Sequence, residues 1–387
     1  MARAALLAAL CLVSAGAFSS PEAVEAAGRS SARPRRKSHR WDKEKGAPVK
    51  RKTEKKSKFL RLAPGRWRAP VADALERVLA ENGVGIEGYD VLDPPVALLR
   101  FDDVSITNHV GEAFFYRLVT DAKFKFSKEF WERVPIQFGR QRIRAGYLGF
   151  KDLPRKIWEQ DAYYRLYRKT FFAGYRDFCK EFGKTRCRSW LVQLLADFDE
   201  MELRRFARDV IKDELKHPVV VETIEEFPED PRPVKVRRGL RFIPEMKDLY
   251  KNLHDRGIDV WIISSSSFWA AEDMAKEYGV DTTRVLGMRT KVSNGIVSAE
   301  VLRPVTSGPG GAEAISLFIG RSPKLIVGGP GDAALLRYGR GVRLRVFEPG
   351  SSPESLSRRG PLFQPRFSAS RPPQTFFPAR KGASAGP

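Results

Sequence analysis

The chain has 387 residues, 42% of them hydrophobic, and a formal net charge of +22. That apolar fraction can fill a sizeable core and excludes a wholly disordered or fibrous chain. The charge would suggest a nucleic-acid binder, but it sits at the ends: residues 29–68 carry 17 Lys/Arg against 3 Asp/Glu and residues 351–387 carry 6 against 1, so the middle is close to balanced. In such flanks a solvated or targeting segment is the ordinary reading. Non-specific contact with nucleic acid or an anionic membrane is the alternative, and it would weaken steeply with salt.

The chain opens "MARAALLAALCLVSAGAFSS". Arg3, the apolar run Ala4–Val13 and the small-x-small triplet Ala15-Gly16-Ala17 read as a signal peptide over residues 1–17, which implies entry to the secretory pathway. Phe18, directly after the cut, resembles the bipartite leader of algae with secondary plastids. Glu22 and Glu25 fit plain secretion better, because transit peptides are poor in acids. Plastid and secreted or luminal destinations both stay open. Residues 18–68, basic and rich in Ser and Pro, read as disordered.

Order is expected from residue 69. Val71, Leu75, Val78 and Leu79 make a helical stripe ended by Gly83. In "PPVALLRFDDVSITNHVGEAFF", Pro94–Phe115, the apolar run Val96–Leu99 reads as a buried strand that ends at Arg100 and delivers polar groups to the following turn. Residues 120–238 read as a mainly helical insertion holding most of the aromatics, which are expected to be packed core. Cys179 and Cys187 lie eight apart within it; a disulfide and two free thiols remain equal alternatives, and no metal-ligand spacing is present. From Gly239 strands and helices alternate again, with strands at Ile258–Ser265, Lys324–Gly329 and Val342–Phe347 and a hairpin signal at Ser293-Asn294-Gly295. The tail over residues 351–387 reads as disordered. No segment after the leader is long and apolar enough to span a bilayer.

This alternation predicts an α/β fold: a three-layer, Rossmann-like core with a parallel sheet, built from residues 69–119 and 239–350 and interrupted by the helical insertion at 120–238. Ligands bind such sheets at the carboxyl ends of the strands, where Arg100, Ser264 and Gly329 all fall. Four serines at Ser264–Ser267 precede a helix and serve partly as its cap; only Ser264 stands at the strand end.

These segments together resemble the haloacid dehalogenase (HAD)-like superfamily, in its phosphoserine and phosphorylcholine phosphatase branch. The resemblance rests on "RFDDVSITNHVGEAFF", "GLRFIPEMKDLYKNLHDRGIDVWIISSSSF", "GMRTKVSNG", "RPVTSGPGGAEAI" and "KLIVGGPGDAALL", and spans about residues 96–336. It implies a Mg²⁺-dependent phosphomonoester hydrolase with a helical cap and a nucleophilic Asp. Such an enzyme also needs an acid/base Asp, a phosphate-binding Ser or Thr, a charge-neutralising Lys and Asp ligands for the metal. Carried over residue by residue, the nucleophile falls on Arg100, the acid/base on Asp102 (retained), the hydroxyl on Ser264 (retained), the Lys on Gly311 and a metal ligand on Gly329. Asp332 is a weak candidate for a further ligand. Shifting the register to Asp102 or Asp103 leaves Val104 or Ser105 as the partner, and neither can serve as the acid/base.

The expectation is therefore a phosphatase-like protein that has lost its catalytic set, a pseudoenzyme acting as a binding or scaffold module, with no cofactor. A phosphorylated small molecule is its candidate ligand. Arg100 and Ser264 are the candidate anion-binding groups; Arg100 paired with Asp102 or Asp332, merely filling the hole, is the structural alternative. Two other functions remain open: an active hydrolase of small phosphomonoesters through an altered Mg²⁺ site, and an anionic-surface or nucleic-acid binder working through the basic flank.

Overall fold

The computed structural model describes residues 62–63, 65–347 and 361–367. The expected leader, nearly all of the basic segment and most of the tail lie outside the described residues.

The first helix, α1 (Ala69–Glu81), buries Val71, Leu75, Val78 and Leu79, the stripe expected from sequence. Strand β1 (Val96–Arg100) is buried along its whole length. A single tight turn, Phe101–Ser105, leads into β2 (Ile106–Thr107) and α2 (Val110–Thr120). The chain then leaves the sheet through α3 (Lys128–Arg133), α4 (Arg140–Phe150), α5 (Ala162–Gln193), α6 (Glu200–Lys216) and an antiparallel hairpin of β3 (Val220–Ile224) and β4 (Val234–Arg238). It returns at β5 (Arg241–Phe242), which pairs antiparallel with β2, so the excursion starts and ends at one point. Then come α7 (Pro244–Asp255), β6 (Asp259–Ser267), α8 (Phe268–Ala275) and β7 (Val285–Met288). The hairpin of β8 (Thr290–Ser293) and β9 (Ile296–Val301) turns at Asn294 (φ 51°) and Gly295 (φ 77°), as the Ser-Asn-Gly signal predicts. The last elements are α9 (Gly310–Ala314), β10 (Leu325–Gly328), α10 (Ala333–Tyr338), β11 (Val342–Phe347) and β12 (Leu362–Pro365).

Six strands form one parallel sheet in the order β12-β11-β10-β1-β6-β7, with β1 in the middle. Alternate residues of β1 enter different cores. Ala97 and Leu99 join the large core with α1, α2 and α7; Val96 and Leu98 join a smaller one with Ala314, Ile315, Leu335 and Leu336. Both sheet faces are thus covered, which explains why β1 reads as a continuous apolar run. The three-layer α/β class expected from sequence is the one found.

The sequence reading drew the ordered region too narrowly. Strand β12 lies inside the tail expected to be disordered and pairs in parallel with β11. The cause is a short apolar patch in a Pro/Arg-rich stretch: Phe363 and Phe367 are buried, and the Phe367 ring meets Trp67 edge-on at 4.9 Å. Gln364 Oε1 accepts the Arg68 backbone N–H at 2.9 Å, so residues 66–68 are ordered as well.

In the insertion the aromatics are packed core. Tyr164, Tyr167 and Phe171 are fully buried, and Phe124 stacks on Phe171 at 5.3 Å. Helix α5 kinks at Gly183 (φ 78°, ψ 162°), where a left-handed backbone suits only glycine. Cys179 and Cys187 straddle the kink as a disulfide, which resolves the alternative left open by the sequence. The kink swings Lys184 and Arg188 toward the sheet edge. Strand β4 is anchored by Arg238, whose Nη2 donates to the buried Glu214 carboxylate at 2.6 Å while its guanidinium lies 3.6 Å from the Tyr116 ring centre. Among the described residues no helix is long and apolar enough to cross a membrane.

Candidate functional site: the carboxyl edge of the sheet

Arg100 is the last residue of β1. The next turn needs a left-handed residue at Asp103 (φ 60°, ψ 5°), a conformation Asp tolerates better than most. The turn lifts Asp102 over the end of β6. There β6 slips register against β7 between Ile263 and Ser267, and three successive serines reach the same carboxylate instead of alternating across the sheet. Ser264 Oγ (2.7 Å), the Ser265 backbone N–H (2.8 Å) and Ser265 Oγ (3.3 Å) donate to Asp102 Oδ2; Ser266 Oγ (2.9 Å) and the Val110 N–H (3.2 Å) donate to Oδ1. His109 Nε2 stands 3.7 Å away. Burial raises the Asp102 carboxyl, but His109, the Ser264 hydroxyl, Arg188 and Arg100 outweigh it and bring it down to about 2. The His109 ring is pushed down to about 4 by burial and the Arg188 charge, against the pull of Asp102 and Glu112. It is therefore neutral at pH 7. The Glu112 backbone N–H points at its Nδ1 (3.3 Å), which puts the ring proton on Nε2, facing Ser265 Oγ at 3.1 Å.

The β10 side is built differently. Arg100, only 4% exposed, donates from Nε to Asp332 Oδ2 at 2.9 Å, makes a second short bond from Nη2 to Oδ1, and donates from Nη1 to the Thr306 carbonyl at 3.3 Å. Asp332 Oδ2 also accepts the Gly329 N–H at 2.8 Å. A Cβ at Gly329 would meet Val104 Cγ2 at 3.1 Å and Asp332 Oδ2 at 3.7 Å, so this position faces the site but has little room for a side chain. A Cβ at Gly311 would meet Ile263 Cδ1 and Leu335 Cδ1, both at 3.6 Å. The position expected to carry the charge-neutralising Lys therefore faces apolar side chains.

Arg100, Asp102, Ser264, Gly329 and Asp332 thus converge on one edge, and Gly311 points elsewhere. The two groups expected to hold an anion spend donors within the protein. Arg100 is neutralised by Asp332, and the Ser264 hydroxyl donates to Asp102 while accepting the Ser266 N–H at 3.0 Å. Arg100 keeps further N–H groups but contributes little net charge.

A cavity of about 280 Å³ opens over this edge, lined by Arg100, Asp102, Asp103, Asp332 and Ser265 from the core, with Lys184, Arg188 and Arg237 from the insertion. Each carboxylate has its own partners: Asp332 has Arg100, Asp102 has its donors, and Asp103 has Arg237 (3.0 Å) and Arg366. Four cations thus line the cavity against three carboxylates, an excess of one positive charge, and Arg188 and Lys184 are the two in no ion pair among the described residues. Arg188 donates from Nη1 to Ser265 Oγ at 2.8 Å, while its buried Nε has no partner; Lys184 is exposed and in no ion pair among the described residues. The cavity therefore carries surplus positive charge.

Mg²⁺ does not fit this donor set. Asp332 is closed by a guanidinium and an N–H, Asp102 by five donors, and among the described residues no group of three His, Cys, Asp or Glu side chains comes together as a metal site.

Sequence reasoning missed His109, Ser265, Ser266, Thr306, Lys184, Arg188 and Arg237. The serine run was the one available signal. It pointed to a single serine because an ideal strand alternates and the register slip cannot be read from composition.

The fold and the convergence of these strand ends define a three-layer α/β protein with a parallel sheet and a helical insertion. No family model matches the chain, and no curated protein matches it. Among solved structures it is similar to a conserved, functionally unknown protein from Anaerococcus prevotii, with 21% identity over 76% of this chain and 89% of that one and a TM-score of 0.65, a likeness of fold alone. Weaker likenesses include a substrate-bound phosphoserine phosphatase (14% identity, 65% of this chain and 85% of that one, TM-score 0.33) and a HAD family hydrolase from Salmonella enterica serovar Typhi (9%, 65% and 63%, TM-score 0.35). At those scores they carry no argument.

Proposed function

We propose that the protein binds a small phosphate- or carboxylate-bearing molecule over the carboxyl edge of its sheet and does not hydrolyse it. The observation that carries this reading is the Arg100–Asp332 pair: a guanidinium ends the strand to which the resemblance assigns the attacking carboxylate, and it closes Asp332. Asp102 is no substitute nucleophile, because five donors hold it ionised and surrounded. What remains for a ligand is the surplus charge of Arg188 and Lys184, facing a cavity that Arg237 and Arg100 also line. On this reading no metal is required, and the protein is a binding module on a phosphatase scaffold.

Calorimetric titration with inorganic phosphate tests the first half. Binding is expected in the sub-millimolar to millimolar range, with a loss of about tenfold or more in the Lys184→Ala, Arg188→Ala double variant. Incubation with phosphoserine, phosphocholine and p-nitrophenyl phosphate plus Mg²⁺ tests the second half, and no turnover above background is expected. Turnover that disappears in Asp102→Asn would overturn the reading in favour of an altered hydrolase. Phosphate binding indifferent to both cations would remove the site.

A further inference from the structure

The anion cavity has a neighbour. A second cavity of about 250 Å³ lies between α2, α5 and β4, and Lys184, Arg188 and Arg237 line both. Each alone is below the usual range of about 300–1,000 Å³ for small-molecule sites; joined across their shared wall they fall within it.

The second cavity has a different character. Its inner wall is aromatic and aliphatic: Phe172, Tyr175 and Val236 line it, with Phe115 packed against Tyr175 at 5.1 Å. Its charges are lopsided. Arg176 and Lys235 add to the three shared cations, and Glu112 is the one carboxylate in the lining. That carboxylate is engaged, 3.6 Å from Arg237 Nη2 and accepting the Tyr175 hydroxyl at 3.3 Å. A cationic group entering here would meet five positive side chains and no free acid.

We infer, resting on the anion-binding reading above, that the ligand is bipartite: an anionic oxyacid group held by Arg188 and Lys184, joined to an uncharged apolar and preferably aromatic body seated against Phe172, Tyr175 and Val236. Zwitterions whose second part is an ammonium, phosphoserine and phosphocholine among them, are disfavoured by the same wall. The scaffold would then serve a different chemical class from the one its motifs imply.

The test is a calorimetric comparison of inorganic phosphate, phenyl phosphate and phosphocholine on the folded full chain. Phenyl phosphate is expected to bind about tenfold or more tighter than phosphate, and phosphocholine no tighter than phosphate. Val236→Tyr, a substitution a strand accepts, fills the second cavity. It is expected to erase the phenyl advantage, with a thermal melt like that of the unsubstituted chain reporting that the variant is folded. Equal binding of phosphate and phenyl phosphate, or preference for phosphocholine, defeats this inference and leaves the anion site standing. No binding of any of the three defeats both.

Discussion

On the β6 side of β1, Asp102 keeps its charge through hydrogen bonds from three serines and two backbone N–H groups. On the β10 side, Arg100 and Asp332 keep theirs by facing each other. The first half surrounds its carboxylate with donors and leaves it no open position; the second closes its carboxylate with a guanidinium beside a glycine N–H. Both halves meet the same requirement, that a buried charge be matched. They differ in how the matching is distributed. Five donors share one carboxylate, so losing one leaves four. The ion pair rests on a single partner.

That difference sets the largest expected effect. Asp332→Ala strands a buried guanidinium and is expected to cost about 3–5 kcal/mol in urea unfolding, with Arg100→Met in the same chain recovering much of it. Ser264→Ala removes one donor of five and is expected to cost about 1–2 kcal/mol. If the two variants are equally stable, the contrast between the halves is wrong.

A second, smaller effect tests the Asp102 half by pH. His109 has its folded pKa lowered from 6.5 to about 4, so the unfolded chain binds its proton first and stability falls as pH drops from 6.5 toward 4. Asp102, lowered from 3.8 to about 2, adds a further loss as pH drops through that lower window. Thermal melts across pH 7 to 4 should decline, by at most about 3 kcal/mol for the histidine step, and His109→Asn should flatten that decline. An unchanged slope in His109→Asn would remove His109 as its source.

The contrast also explains what the sequence could and could not reveal. The Val96–Leu99 run, the strand end at Arg100 and the Asn294-Gly295 turn were legible, because periodicity and backbone chemistry act locally, whereas β6 runs three residues past Ser264 and β10 stops at Gly328. Arg188 and Lys184 were not. They reach the edge from a helix 88 and 84 positions beyond Arg100, through a kink at Gly183 that sets their direction. Strand β12 was hidden because its few apolar residues sit among Pro, Ser and Arg, and only the neighbouring edge of β11 gives them a partner.

Gly311 is where correspondence by sequence and correspondence in space part company. The motif puts a cation there, but a side chain would set out toward Ile263 and Leu335 at ordinary contact distance and away from the Arg100–Asp332 pair. Gly311→Ala adds a methyl group to that apolar face within a helix and should be neutral or stabilising by up to about 1 kcal/mol. Gly311→Lys should restore no phosphatase activity with Mg²⁺ and should leave phosphate affinity within about twofold, since the ammonium would have to leave an apolar wall to reach the cavity. A clear gain in phosphate affinity in Gly311→Lys would mean that this helix can present a cation to the edge after all. The charge of Arg188 and Lys184 would then be one of two cation sources at that edge.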